Sequence, residues 1–210
     1  MPTVTTRPPR RPVPKRSGGK RVQPRTIRPL PIVLIALILL ALVVFALRLN
    51  REVPSWVDVQ LVRVNGSGRR GEAIGKVHDI AIHYVGNPGT TAQQNRDFYN
   101  NPDTQVSSHF LIGLEGEIIQ CVPLDEKSSA TNERNRDTIS IEVCHPDAGG
   151  VFTDASYQSL VKLTAWLCDN FHLSRDRVIR HYDVTGKLCP LHFVEDEEAW
   201  EQFLADVKAY

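Results

Sequence analysis

Residues 1–29 have no periodic apolar positions and contain seven prolines. Such a composition cannot bury enough apolar surface to offset chain entropy, and it predicts a disordered tail. From Leu30 to Leu47 the pattern changes to 18 consecutive uncharged residues, apolar apart from Pro31 near the start. At 1.5 Å per residue this run extends about 27 Å, close to the hydrocarbon thickness of a bilayer, and it predicts a transmembrane helix over 30–49. Residues 50–75 show few periodic apolar positions and contain Asn65-Gly66-Ser67-Gly68, so they read as an extended approach segment.

Beyond residue 76, short β-branched runs alternate with helical periods. Asp79–Tyr84 alternates as a strand, with Ile80 and Ile82 on one face and Ala81 and His83 on the other. Thr90 or Thr91 is placed to cap a helix running to Tyr99. Ser108–Gly113 and Glu117–Val122, joined by Leu114-Glu115-Gly116, predict a hairpin. Thr138–Cys144 predicts a strand with Ser140, Glu142 and Cys144 opposite Ile139, Ile141 and Val143. The three-four spacing of Tyr157, Leu160, Val161, Thr164, Leu167, Cys168 and Phe171 predicts an amphipathic helix over Asp154–Phe171. Arg177–His181 predicts a last strand, and Trp200, Phe203, Leu204 and Val207 a C-terminal helix. The order implies an α/β domain over 76–210: a mixed central β-sheet flanked by helices.

Charge divides the chain further than its overall net charge of +1 suggests. Nine cations and no acid precede the apolar run, leaving 16 basic against 24 acidic residues, or −8, for the remainder. An excess of Lys and Arg before a span keeps that side in the cytoplasm, so the expectation is a single-pass protein of the cell membrane with its domain outside. A cleaved signal peptide has a shorter apolar region ending in a small-residue site, and Ala46-Leu47-Arg48-Leu49 offers none. Anionic lipid headgroups explain the basic tail without invoking nucleic acid. Four cysteines exclude a disulfide-dense scaffold. Cys121 and Cys144 lie in neighbouring strand motifs, and sequence alone leaves their pairing open.

Candidate chemistry gathers at strand ends. His181 closes a strand, and Cys189 follows eight residues later across a loop containing Gly186. Imidazole and thiolate are ligands that zinc prefers, and His83, at the end of its own strand, is the candidate third ligand. A satisfied core histidine at 83 and a solvated edge carboxylate at 142 are the alternative readings. Lys187 on its own reads as a loop cation, His109 as a groove or ligand-orienting residue, and Asp183 as a turn carboxylate or a hydrogen-bond partner of a ligand. His78, His145, His172 and His192 have no partner at useful spacing and read as surface residues.

Five motifs in order, Ile82-His83-Tyr84, Ser107-Ser108-His109-Phe110, Ile118-Ile119-Gln120, Ser140-Ile141-Glu142-Val143-Cys144 and Arg180-His181-Tyr182-Asp183 to Lys187-Leu188-Cys189-Pro190, carry a family resemblance over about 76–205. They resemble the zinc-dependent N-acetylmuramoyl-L-alanine amidases, relatives of phage amidase lysins and peptidoglycan recognition proteins. The resemblance implies a zinc ion held by His83, His181 and Cys189, with Glu142 acting on its water and Lys187 stabilising the oxyanion. Some relatives carry a Tyr where this chain has Ser108, a departure that marks the branch relying on Glu. The function implied is hydrolysis of the amide between N-acetylmuramic acid and L-alanine in peptidoglycan, with a bacterial cell wall as partner. A non-catalytic peptidoglycan receptor of the same fold is the alternative, and it usually lacks the zinc Cys. A wall-binding division module would have no need of the full residue set, and a released prophage lysin would not be tethered.

Overall fold

The computed structural model describes residues 29–49, 53–64 and 68–210. The predicted tail over 1–29 lies almost wholly outside them. Pro29–Leu49 forms a 21-residue helix, α1. Its side chains are described from Val33 to Val43, eleven positions, all exposed. Over the described residues no helix is long and apolar enough to cross a membrane.

The domain is built on six strands: β1 (Asp58–Val59), β2 (Asp79–Tyr84), β3 (Phe110–Ile112), β4 (Ile118–Gln120), β5 (Thr138–Val143) and β6 (Val178–Arg180). Their order in the sheet is β1-β4-β3-β5-β2-β6. Neighbours run parallel except for the β3–β4 hairpin, so the sheet is mixed, as the sequence predicts. Five helices follow α1 among the described residues: α2 (Ala92–Tyr99), α3 (Asp154–Phe171), α4 (His181–Thr185), α5 (Leu191–Glu195) and α6 (Glu197–Ala209). The two shortest, α4 and α5, have too few turns for a periodic pattern to announce them.

The alternation in β2 and β5 separates core from site. Ile80, Ile82, Ile139 and Ile141 are fully buried against Leu160, Leu163 and Leu167 of α3 and Phe203 of α6. Burying each such side chain stabilises the fold by about 1.5–3 kcal/mol. Opposite them, the parallel register pairs Ala81 with Ser140 and His83 with Glu142. A second apolar cluster, including Val62, Tyr99, Leu111 and Val122, covers part of this other face and leaves the strand ends open.

Residues 53–64 and 68–75 contribute to the domain itself. Asp58–Val59 adds an edge strand parallel to β4, Val62 is buried, and Ala73 bridges to Glu126. Two residues of strand and two buried valines, Val57 and Val62, are too little for periodicity to register. His145 is also buried, at 1% exposure, where a surface position is expected; its Nδ1 bonds the Asp147 carbonyl at 2.7 Å and its ring packs on Tyr84. Cys121, Cys144, Cys168 and Cys189 are all free and buried.

Candidate metal centre

Three strand ends bring the candidate residues together. His83 lies near the end of β2, and Ile82 pairs with Arg180 of β6, so His181 emerges directly beside it. After α4 the chain turns back at Gly186, whose φ of 74° is in the left-handed region that glycine adopts without steric penalty. The Tyr182 N–H donates to the Cys189 carbonyl at 2.9 Å, closing the loop and returning Cys189 to the His181 end.

His83 Nδ1 and His181 Nδ1 stand 3.1 Å apart, with Cys189 Sγ 3.8 Å from His83 Nδ1. Donor atoms of all three residues lie within 4.8 Å of one another, and each residue is buried. The far nitrogens are engaged: His83 Nε2 with Thr131 Oγ1 at 3.1 Å and His181 Nε2 with Asn132 Oδ1 at 3.0 Å. An Nε2–H donated to the Asn132 carbonyl oxygen leaves the Nδ1 lone pair of His181 facing inward. Two imidazole nitrogens and a thiol converging at these separations fit a tetrahedral zinc site, whose donors lie about 3.3–3.6 Å apart.

Glu142 completes the group. Its Oε1 is 3.9 Å from His83 Nδ1, while its Oε2 is buried with no hydrogen-bond partner. A buried unpaired carboxylate oxygen is unfavourable by about 1–3 kcal/mol and marks a place where a partner arrives. Burial pushes the Glu142 carboxyl up to about 8, with the Lys187 charge acting against it. Burial holds both imidazoles below the usual histidine range, His83 further by the charges of His181 and Lys187 and His181 by that of Lys187. Neutral imidazole is the form that ligates a metal. The Cys189 thiol is pushed up to about 12 by burial, so holding a cation requires it to release its proton.

A cleft opens over these groups. One cavity of about 740 Å³ is lined by His181, Lys187, Asn132 and Arg70, and a second of about 370 Å³ by Glu142, Tyr84, Phe98 and Tyr99. Val106, Ser129, His181 and Lys187 border both. Lys187 is exposed, with its charge over the site.

Two candidates stand apart from the three ligands. Asp183 does not reach a ligand: it accepts the Arg180 N–H at 2.8 Å and pairs with the Arg180 guanidinium at 3.0 Å, because α4 turns it back over β6. His109 does not line the groove: it is fully buried, with Nδ1 near Ser140 Oγ at 3.1 Å and Nε2 on the Glu126 carbonyl at 2.9 Å. The residues that do hold the imidazoles, Thr131 and Asn132, carry no spacing signal. Asn132 sits at φ 53°, a left-handed conformation that Asn tolerates, at the start of a 3₁₀ turn.

Fold and donor set define a class: an α/β domain with two imidazole nitrogens and a thiol placed where they could hold a metal ion, and a carboxyl group beside them, in a cleft at its strand ends. The chain belongs to the N-acetylmuramoyl-L-alanine amidase family, which matches residues 74–192. It is 29% identical over 159 residues to N-acetylmuramoyl-L-alanine amidase CwlL of Bacillus licheniformis, covering 68% of this chain and 44% of that protein. It is 30% identical over 139 residues to the amidase CwlA of Bacillus subtilis strain 168, covering 64% of this chain and 50% of that protein. This chain thus spans about half the length of these curated relatives. Among solved structures, a mutant endolysin from Bacillus subtilis superposes with a TM-score of 0.63 at 28% identity, covering 72% of this chain and 97% of that one. The catalytic domain of XlyA gives 0.63 at 27% identity, with 72% and 98% covered.

Proposed function

We propose that this protein is a membrane-anchored, zinc-dependent N-acetylmuramoyl-L-alanine amidase that cuts the amide between the lactyl group of N-acetylmuramic acid and L-alanine. The observation that carries the reading is the convergence of His83, His181 and Cys189 beside an unpartnered Glu142 oxygen in an open cleft. His83, His181 and Cys189 would hold the zinc, with Thr131 and Asn132 orienting the imidazoles. Zinc in such a site supplies Lewis acidity and lowers the pKa of water to about 7.

The chain's own residues supply the remainder. Glu142 takes the proton of the attacking water and returns it to the departing amine, which restores the carboxylate for the next turnover. Lys187 places positive charge where the carbonyl oxygen becomes negative. The receptor alternative is disfavoured by Cys189 and by Glu142, since a binding groove needs neither a thiol ligand nor a buried carboxyl oxygen left without a hydrogen-bond partner. Anchoring is supported by the uncharged Leu30–Leu47 run, the helix over Pro29–Leu49, and nine cations without an acid before it. That topology puts the domain on the side of the membrane where the substrate lies.

The test uses the full chain in detergent, with bound zinc measured alongside release of L-alanine amino termini from purified peptidoglycan. One zinc per chain with new amino termini is expected, and Glu142→Gln should keep the zinc while losing about 10²–10⁴ in rate. Zinc without new amino termini would leave a wall-binding module, and a protein that takes up no zinc would remove the metal centre.

A further inference from the structure

The cleft is lopsided in charge, and the residue that makes it so lies before the matched family region begins at residue 74. The larger cavity has Arg70 and Lys187 on its walls, with Gln105, Asn132 and Asn135, and no carboxylate. Beyond residue 29 the chain has 24 acids against 16 bases, so an acid-free basic wall runs against the composition. Neighbouring cations are neutralised, Arg69 by Glu126 at 2.7 Å and Lys127 by Glu72 at 3.1 Å. Among the described residues Arg70 and Lys187 enter no ion pair, and both are exposed.

The backbone on either side of Arg70 is tied down. Ser107 Oγ donates to the Gly68 carbonyl at 2.6 Å, and the Lys127 N–H donates to the Glu72 carbonyl at 2.8 Å. Arg69 grips Glu126 through two bonds of 2.7 Å, and Ala73 bridges to the same residue. The position of Arg70 is therefore set while its guanidinium stays unpaired over the cavity. A planar fork of N–H donors in that state matches a carboxylate.

We propose that Arg70 binds a free carboxylate of the stem peptide and makes the enzyme prefer stems whose carboxylate nearest the scissile amide is not amidated. The inference rests on the amidase reading. N-acetylated sugars are uncharged, so the anionic part of the substrate is its peptide, and the acid-free basic cavity is where that part belongs. The acidic Glu142 faces the other cavity, lined by Tyr84, Phe98 and Tyr99, which suits the uncharged glycan.

The test compares two synthetic muramyl peptides that differ only in that carboxylate, free in one and a primary amide in the other. Equilibrium binding and cleavage of each are measured with the full chain in detergent, for wild type, Arg70→Gln and Arg70→Lys. The wild type is expected to bind the acid about tenfold more tightly than the amide, the effect of one charge-assisted contact at an exposed site. The preference should shrink with added salt, fall to parity in Arg70→Gln and survive in part in Arg70→Lys. Parity in the wild type, or a preference that persists in Arg70→Gln, overturns the proposal. Should Arg70→Gln misfold and lose both ligands alike, the Arg70→Lys ratio decides. A preference without cleavage would support the Arg70 site and remove the amidase reading. Cleavage of both peptides without a preference would do the reverse.

Discussion

The same kind of side chain takes opposite parts according to what its nitrogens face. His83 and His181 each give one nitrogen to a neighbour and turn the other inward, whereas His109 has both nitrogens engaged, by Ser140 and the Glu126 carbonyl. Burial lowers the His109 pKa to about 4, against about 6.5 for histidine in an unfolded chain. Between those values the unfolded chain binds more protons than the folded one, so this residue's contribution is present above about pH 6.5 and is lost as pH falls towards 4. The stability difference between wild type and His109→Gln should shrink by up to about 3 kcal/mol over that window, read from urea midpoints at a series of pH values. A difference independent of pH would show that His109 is not held neutral.

At the scale of elements, caps connect the helices to the site. Thr153 Oγ1 accepts the Ser156 N–H and lies 2.7 Å from the Leu114 carbonyl, so one hydroxyl starts α3 and ties it to the β3–β4 hairpin. Thr153→Ala should destabilise the domain by about 1–2 kcal/mol, lowering Tm by roughly 2–8 °C in a thermal melt. An unchanged Tm would mean that water replaces both bonds. Thr91 begins α2 with a reciprocal capping box to Gln94, and α2 in turn carries Phe98 and Tyr99 to the cleft. The turn between β3 and β4 needs Gly116, at φ 83°, because a Cβ there would meet the Ala155 carbonyl oxygen at 2.8 Å.

At the scale of the whole molecule, the charge division gives the anchoring proposal its test. The full chain should sediment with membranes and resist extraction by high salt, while a chain lacking residues 1–49 should be soluble. Extraction by salt alone would show that the basic tail holds the protein electrostatically rather than through a span. Retaining the domain at the membrane would confine its cutting to membrane-proximal peptidoglycan.

The alternation of Ile80, Ile82, Ile139 and Ile141 and the long period over Asp154–Phe171 made the sheet and main helix legible, because two- and three-residue periods survive without any knowledge of partners. Spacing also marked His181 and Cys189, since loop closure across Gly186 is a local property. Sequence could not reveal that β2 and β5 run parallel with His83 opposite Glu142, nor that Asp183 turns to Arg180. Thr131, Asn132 and Arg70 likewise became visible only in three dimensions. Except for Asp183, three residues from Arg180, these relations join residues tens of positions apart, and they are decided by which backbones pair and which loops pack, so the tertiary structure alone determines what each side chain faces.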